Sequence, residues 1–275
     1  MIARALLLAA ALVPATACPR TDPVRPPDAT AGDDGGPPPT RPRCGDGHTA
    51  LEQPALLPAT ASLVAVIELD AATLPASLAT LSRWAHDGRA ALPVQLAFSL
   101  AQWRWQVPLV REQLARAGFV AAHLLAVRLD DAIGWVLPLG CSMDDAIAAL
   151  QRDPAWHVND TGGAAIATAH ADGPAPWDLL VREGVVALVP AGRARAWLSA
   201  WSRGASDSAL GPPSLAAAAL ALPAAPIRLR ARTTGLLPTG AVDTAAAELA
   251  LLVDGETLRE LPPGGDTPGA TLPAP

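Results

Sequence analysis

The sequence predicts an α+β fold: an antiparallel sheet built from hairpins, with helices packed on one face. Three observations carry this. Short runs rich in valine, leucine and isoleucine flank turn-forming pairs such as Glu183-Gly184 and Asp254-Gly255, the pattern of hairpins rather than of parallel strands. Between them stand stretches whose apolar residues recur at the helical period. Finally, LLPATASLVAVIEL from Leu56 and LALPAAPIRLRAR from Leu220 share a leucine-proline-alanine lead-in to a strand, the trace of a truncated second copy at the carboxy terminus.

In chain order, Ser62 to Leu69 is apolar on both faces and reads as a buried strand. From Thr73 to His86, Leu74, Leu78, Leu81 and Ala85 line one side of an amphipathic helix. Pro93 opens a second helical stretch with large side chains nearly all round, which Pro108 is expected to break, leaving a short further helix before Gly118. Within it, Trp103-Arg104-Trp105 offers rings for a planar ligand, although tryptophan in such a stretch normally belongs to the core. Ala122 to Leu129 and Ile133 to Leu139 form a hairpin around Asp130-Asp131. Ser142 with Asp145 resembles a capping box for a helix ending at Asp153-Pro154.

Two more hairpins follow, Ala155 to Val158 with Ala164 to His170, and Asp178 to Arg182 with Val185 to Val189. The helix from Ala191 to Arg203 sets Ala194, Trp197, Leu198 and Trp201 against an arginine-rich face. Ser214 to Leu222 is a helix, Ile227 to Arg232 a strand, and Glu248 to Val253 with Glu256 to Leu261 a last hairpin. The expected organisation is a signal peptide (1–17), a disordered Pro/Gly/Asp-rich tether (18–54) and a main domain (55–204). A linker (205–213), a smaller continuation (214–261) and a disordered tail (262–275) complete it.

The amino terminus carries an address. Arg4, the apolar run Ala5 to Val13 and the small residues to Ala17 have the layout of an export signal. The run makes about 14 Å of helix, far short of a bilayer's roughly 30 Å, so it is expected to be cleaved. Ala15-Thr16-Ala17-Cys18 resembles the lipobox of bacterial lipoproteins, with Ala15 where leucine is usual. That resemblance implies a diacylglycerol on the Cys18 thiol and a membrane partner reached through it. The other reading is a soluble secreted protein whose mature chain begins with cysteine.

From Leu57 to Arg203 the order of elements resembles a group of bacterial exported proteins of unknown function. The characteristic part is Arg182-Glu183-Gly184-Val185-Val186-Ala187-Leu188-Val189 entering the Ala191 helix. The resemblance implies an exported α+β domain and brings no activity with it.

Three cysteines are present, an odd count for an exported chain. If Cys18 carries lipid, Cys44 and Cys141 remain as a candidate disulfide that pins the end of the tether to the domain. The net charge of −6, with acids spread along the chain, gives no basic field for nucleic acid.

Chemistry is thinly signposted. His48, His86, His123, His157 and His170 lack metal-binding spacing; His157 and His170 lie on two arms of one hairpin, but solvated or core histidines are the plainer reading. No metal, cofactor or catalytic residue is expected. Glu68 with Asp70, or Asp130 with Asp131, are carboxylate pairs that keep an exported hydrolase as the alternative. For binding, strand alternation puts Arg228, Arg230 and Arg232 on one face, a row able to hold carboxylate or phosphate or else to pair with Glu248 or Glu256. The expectation is thus a non-catalytic binding or structural module of the cell envelope on a flexible stalk, with an unknown envelope protein or ligand as its partner.

Overall fold

A computed structural model describes residues 44, 57–58, 60–87, 94–120, 122–129, 132–169, 177–204, 215–232, 248–261 and 271–272. The signal peptide, Cys18, the tether apart from Cys44, the Asp130-Asp131 turn, His170 and the 205–213 linker lie outside them. Strands β1 (Leu63–Glu68), β2 (His123–Leu129), β3 (Ala132–Pro138), β4 (Trp156–Asp160), β5 (Ala165–Ala169), β6 (Trp177–Arg182), β7 (Val185–Pro190), β8 (Ile227–Arg232), β9 (Glu248–Asp254), β10 (Thr257–Leu261) and β11 (Thr271–Leu272) form one sheet. Its order is β11-β10-β9-β8-β1-β2-β3-β7-β6-β5-β4, and every ladder is antiparallel. This is the α+β class that the hairpin pattern predicts.

The helices are α1 (Leu74–Asp87), α2 (Val94–Arg116), α3 (Met143–Gln151), α4 (Ala194–Gly204) and α5 (Leu215–Leu220). The first three cover one face, packing Leu81, Leu100, Trp103 and Leu150 against Leu63, Ala65, Ala126 and Trp135. The expectation of helices on one face alone is corrected by α4 and α5, which cover part of the other. There Trp197, Trp201, Leu215 and Ala219 meet Val64, Val66, Val127 and Val136. The cause is legible in the strands: β1, β2 and β7 are buried along nearly their whole length, so both faces need cover.

Helix α2 departs from expectation at Pro108, which lies inside it rather than between two helices. An interior proline costs about 3 kcal/mol through the lost N–H and the ring's clash with the preceding turn. Burial of Trp103, Val107, Val110 and Leu114 on the same helix offsets this, at roughly 1.5–3 kcal/mol for each apolar side chain. The helix stops at Gly118, whose φ of 91° is left-handed backbone, with the Phe119 N–H donating to the Leu114 carbonyl at 2.8 Å.

The carboxy-terminal segment extends this same sheet. Strand β8 lies beside β1, so the two leucine-proline lead-ins enter neighbouring strands. The Thr73 hydroxyl donates to Asp254 at 3.0 Å and the Gly255 N–H donates to the Ser77 hydroxyl at 2.8 Å, tying the start of α1 to the β9–β10 turn. The tail, expected to be structureless, supplies β11 against the β10 edge. That edge offers unpaired backbone groups, and Thr271-Leu272 interrupts the proline and glycine that otherwise prevent pairing.

Strand β3 is gripped by tryptophans from both sides. Trp135 meets Trp103 edge-on, with ring centroids 5.5 Å apart. On the opposite face the Trp197 ring lies over Gly134, and a β-carbon there would stand 2.4 Å from Trp197 Cζ2. Gly134→Ala is therefore expected to destabilise the protein by about 1–3 kcal/mol, the cost of overpacking a filled core. Urea denaturation measures it; an unchanged midpoint would mean that α4 shifts freely on the sheet.

Candidate functional site

The structure places Arg228 and Arg230 beneath the second face, where each has a carboxylate neighbour. Arg228 Nη2 is 3.5 Å from Glu68 and Arg230 Nη1 is 3.5 Å from Glu248. Arg232 stands directly across the ladder from Glu248. Thus the arginine row lies along a line of carboxylates from adjoining strands. Glu68, one of the acids considered for hydrolysis, is engaged by Arg228, and Asp70 by Arg111 at 3.2 Å. His157 lies opposite Thr168 in the β4–β5 ladder. Among the described residues no group of three His, Cys, Asp or Glu is arranged to hold a metal ion.

Cys44 and Cys141 are joined by a disulfide, with Cα atoms 5.2 Å apart. Cys44 also makes a parallel bridge to Phe119, and its carbonyl accepts from the Val120 N–H at 3.4 Å. The point at which the proline-rich segment joins the domain is thereby fixed beside the carboxy-terminal end of α2.

A cleft of about 470 Å³ opens between α2 and the sheet, within the range of small-ligand sites. One wall is a polar row on α2: Gln95, Ser99, Gln102 and Gln106, at spacings of four, three and four residues, share one side of the helix. The floor is Arg128 at the end of β2 with Ile133 and Trp135 of β3, and the far rim is Trp177, Pro190 and Arg193. Arg128 is buried, and its Nη2 donates to Gln95 Oε1 at 3.3 Å, holding wall to floor. The indole N–H of Trp135, wholly buried in the floor, has no hydrogen-bond partner among the described residues.

The rim is set by a buried carboxylate. Asp178 accepts the Gly192 N–H at 2.7 Å, and the Arg193 N–H donates to the Pro190 carbonyl at 3.0 Å, shaping the turn into α4. The Arg193 carbonyl then accepts the Trp197 N–H at 2.9 Å, so Arg193 caps the helix while its exposed side chain borders the cleft. Farther along the sheet, Arg182 stacks over Trp201 at 5.2 Å, and its burial lowers the guanidinium below its ordinary pKa.

Among the described residues that line it, two guanidinium groups, side-chain amides and indole rings make a donor-rich and partly aromatic site. Its chemistry suits a bound anion carrying an apolar part. Sequence reasoning singled out none of these residues for binding. The signals present were the Gln95, Ser99, Gln102, Gln106 spacing and the one charge inside the apolar strand HLLAVRL. Comparison with protein-family models, curated proteins and solved structures returns no match.

Proposed function

We propose that this protein is a membrane-anchored, non-catalytic binding module of the cell envelope, whose α+β domain holds a small anionic ligand with an apolar part. The observation that carries the reading is the cleft beside α2, whose lining brings Arg128 and Arg193 together with Trp135, Trp177 and Phe98. Planar guanidinium forks pair with carboxylate or phosphate, and the rings bury hydrocarbon. The lipobox-like Ala15-Thr16-Ala17-Cys18 and the proline-rich segment after it supply the anchor and stalk.

Decanoate and its neutral analogue decanol test this together, read by tryptophan fluorescence and by the thermal midpoint. Decanoate is expected to bind, decanol much less, and Arg193→Ala to weaken decanoate binding roughly ten- to a hundredfold, the worth of a charge-assisted hydrogen bond. Arg193 is exposed, so its removal leaves the core intact. Equal binding of acid and alcohol, or binding of neither, would remove the anionic ligand from the reading.

A further inference from the structure

Most of the large apolar side chains that stand exposed among the described residues belong to one helix. Val94 is 76%, Phe98 63%, Trp105 64% and Leu109 55% exposed, and all four lie on α2. At about 100° per residue, positions 94, 98, 105 and 109 fall within roughly 60° of one another. They form a continuous apolar stripe on the side away from buried Trp103, Val107 and Val110. Val120, 47% exposed, follows just beyond the helix end. Contiguous apolar surface of this kind marks an interaction face rather than scattered exposure.

Two features say what covers it. The first is the position of the anchor. The segment running from Cys18 enters the described fold at Cys44, and Cys44 is bonded to Cys141 and bridged to Phe119, next to Val120. A lipid on Cys18 therefore tethers the domain by the end of the very helix that carries the stripe. The second is charge. The whole chain carries −6, yet α2 presents Arg104 beside the stripe, while its other arginines, Arg111 and Arg116, pair with Asp70 and Glu112. Arg104 lies over the Trp105 ring at 4.4 Å, a cation on an indole, the pairing suited to the headgroup level of a bilayer.

We infer that the α2 stripe docks flat on the surface of an anionic phospholipid bilayer, with Phe98, Trp105 and Leu109 entering the headgroup boundary and Arg104 facing lipid phosphate. The choice of a membrane as the occupant rests on the anchored reading of Cys18, which would give the stripe a second attachment, while the stripe's own affinity for the bilayer does not depend on it. No helix among the described residues is long and apolar enough to cross a membrane, and α2 lies on the surface instead. Phe98 belongs both to the stripe and to the cleft lining, so docking brings the cleft mouth to the lipid surface.

The test uses the mature chain carrying Cys18→Ala, so that acylation plays no part, with vesicles of phosphatidylethanolamine and phosphatidylglycerol. Co-sedimentation is expected, and Phe98→Ser with Trp105→Ser should weaken it by ~tenfold or more. Vesicles with brominated acyl chains should quench fluorescence, and much of that quenching should vanish in Trp105→Phe, which keeps an apolar ring. Both changes lie on the exposed face, and an unaltered thermal midpoint verifies the fold. Failure of the unacylated chain to sediment, equal sedimentation of the double serine variant, or a dimer that the same variant converts to monomer would each overturn membrane docking. Fatty-acid labelling of the Cys18 chain in cells addresses the anchor separately: absence of label removes the anchored reading, while the vesicle result decides the stripe.

Discussion

Trp103→Ala is expected to cost about 3–5 kcal/mol of folding stability, the range for deleting a fully buried large aromatic. Trp103 is wholly buried at the centre of α2, where it meets Trp135 at an interplanar angle of 62°. Its loss opens a cavity between helix and sheet beside the cleft floor, and the edge-to-face pair is worth a further ~0.5–1.5 kcal/mol within that range. One detail separates size from polarity. The Trp103 indole N–H has no hydrogen-bond partner among the described residues, and an unsatisfied group of this kind costs about 1–3 kcal/mol to bury. Trp103→Phe deletes that N–H while keeping a ring, so it should cost far less than Trp103→Ala. Urea denaturation of the two variants checks this; equal losses would mean that the N–H is satisfied in solution, and a loss below ~1 kcal/mol for alanine would mean that the site collapses on itself.

The strands were legible because their chemistry is local. Leu63–Glu68, His123–Leu129 and Val185–Pro190 are short apolar runs bounded by turns, two of them rich in β-branched residues, and Glu183-Gly184 marks the turn of its hairpin locally. The capping of α3 is equally local: the Ser142 hydroxyl accepts the Asp145 N–H at 3.1 Å and donates to the Asp145 carboxylate at 2.7 Å. What escaped depends on tertiary context. Pro108 carries a strong local signal for a break, and it loses to four buried side chains whose burial depends on a sheet assembled from distant residues. The second helical layer follows from strands buried on both faces, but periodicity in α4 does not say which face it will cover.

The cleft was the least legible feature. Its lining runs from Gln95 to Arg193 and joins a helix, the end of β2, β3 and the turn before α4, so no single segment carries a motif. Arg128 carries no signal of its own within the strand Ala122 to Leu129; it is the register with Leu63 that puts it on the face covered by α2. Conversely, the conspicuous Arg230 meets Glu248, one of the two acids the sequence offered it, whereas Arg228 meets Glu68, 160 residues away. Alternation and the next hairpin gave the first pair, but the second is a property of the assembled sheet.

Removing the Cys44–Cys141 bond is expected to cost about 2–5 kcal/mol, comparable with the loss of Trp103. The two cysteines are 97 residues apart, and in the chain-entropy account a loop of that size approaches ~4.7 kcal/mol. Because one bond is lost whichever partner is removed, Cys44→Ala, Cys141→Ala and the double variant should be nearly equal, a non-additivity that independent sites do not show. Wild-type protein in reductant should match them, with Cys18→Ala as the common background. The local consequence is as diagnostic as the global one. Without the bond, Cys44 is held by its burial and its backbone bridge to Phe119, so exchange of the Val120 amide, which donates to the Cys44 carbonyl at 3.4 Å, should accelerate. Vesicle binding by the unacylated chain should change little, since the stripe on α2 does not include either cysteine. In the acylated protein the same loss detaches the tether from the end of α2 and lowers the effective concentration of the stripe at the membrane. A wild-type midpoint indifferent to reductant would mean that the strap holds the tether without stabilising the fold.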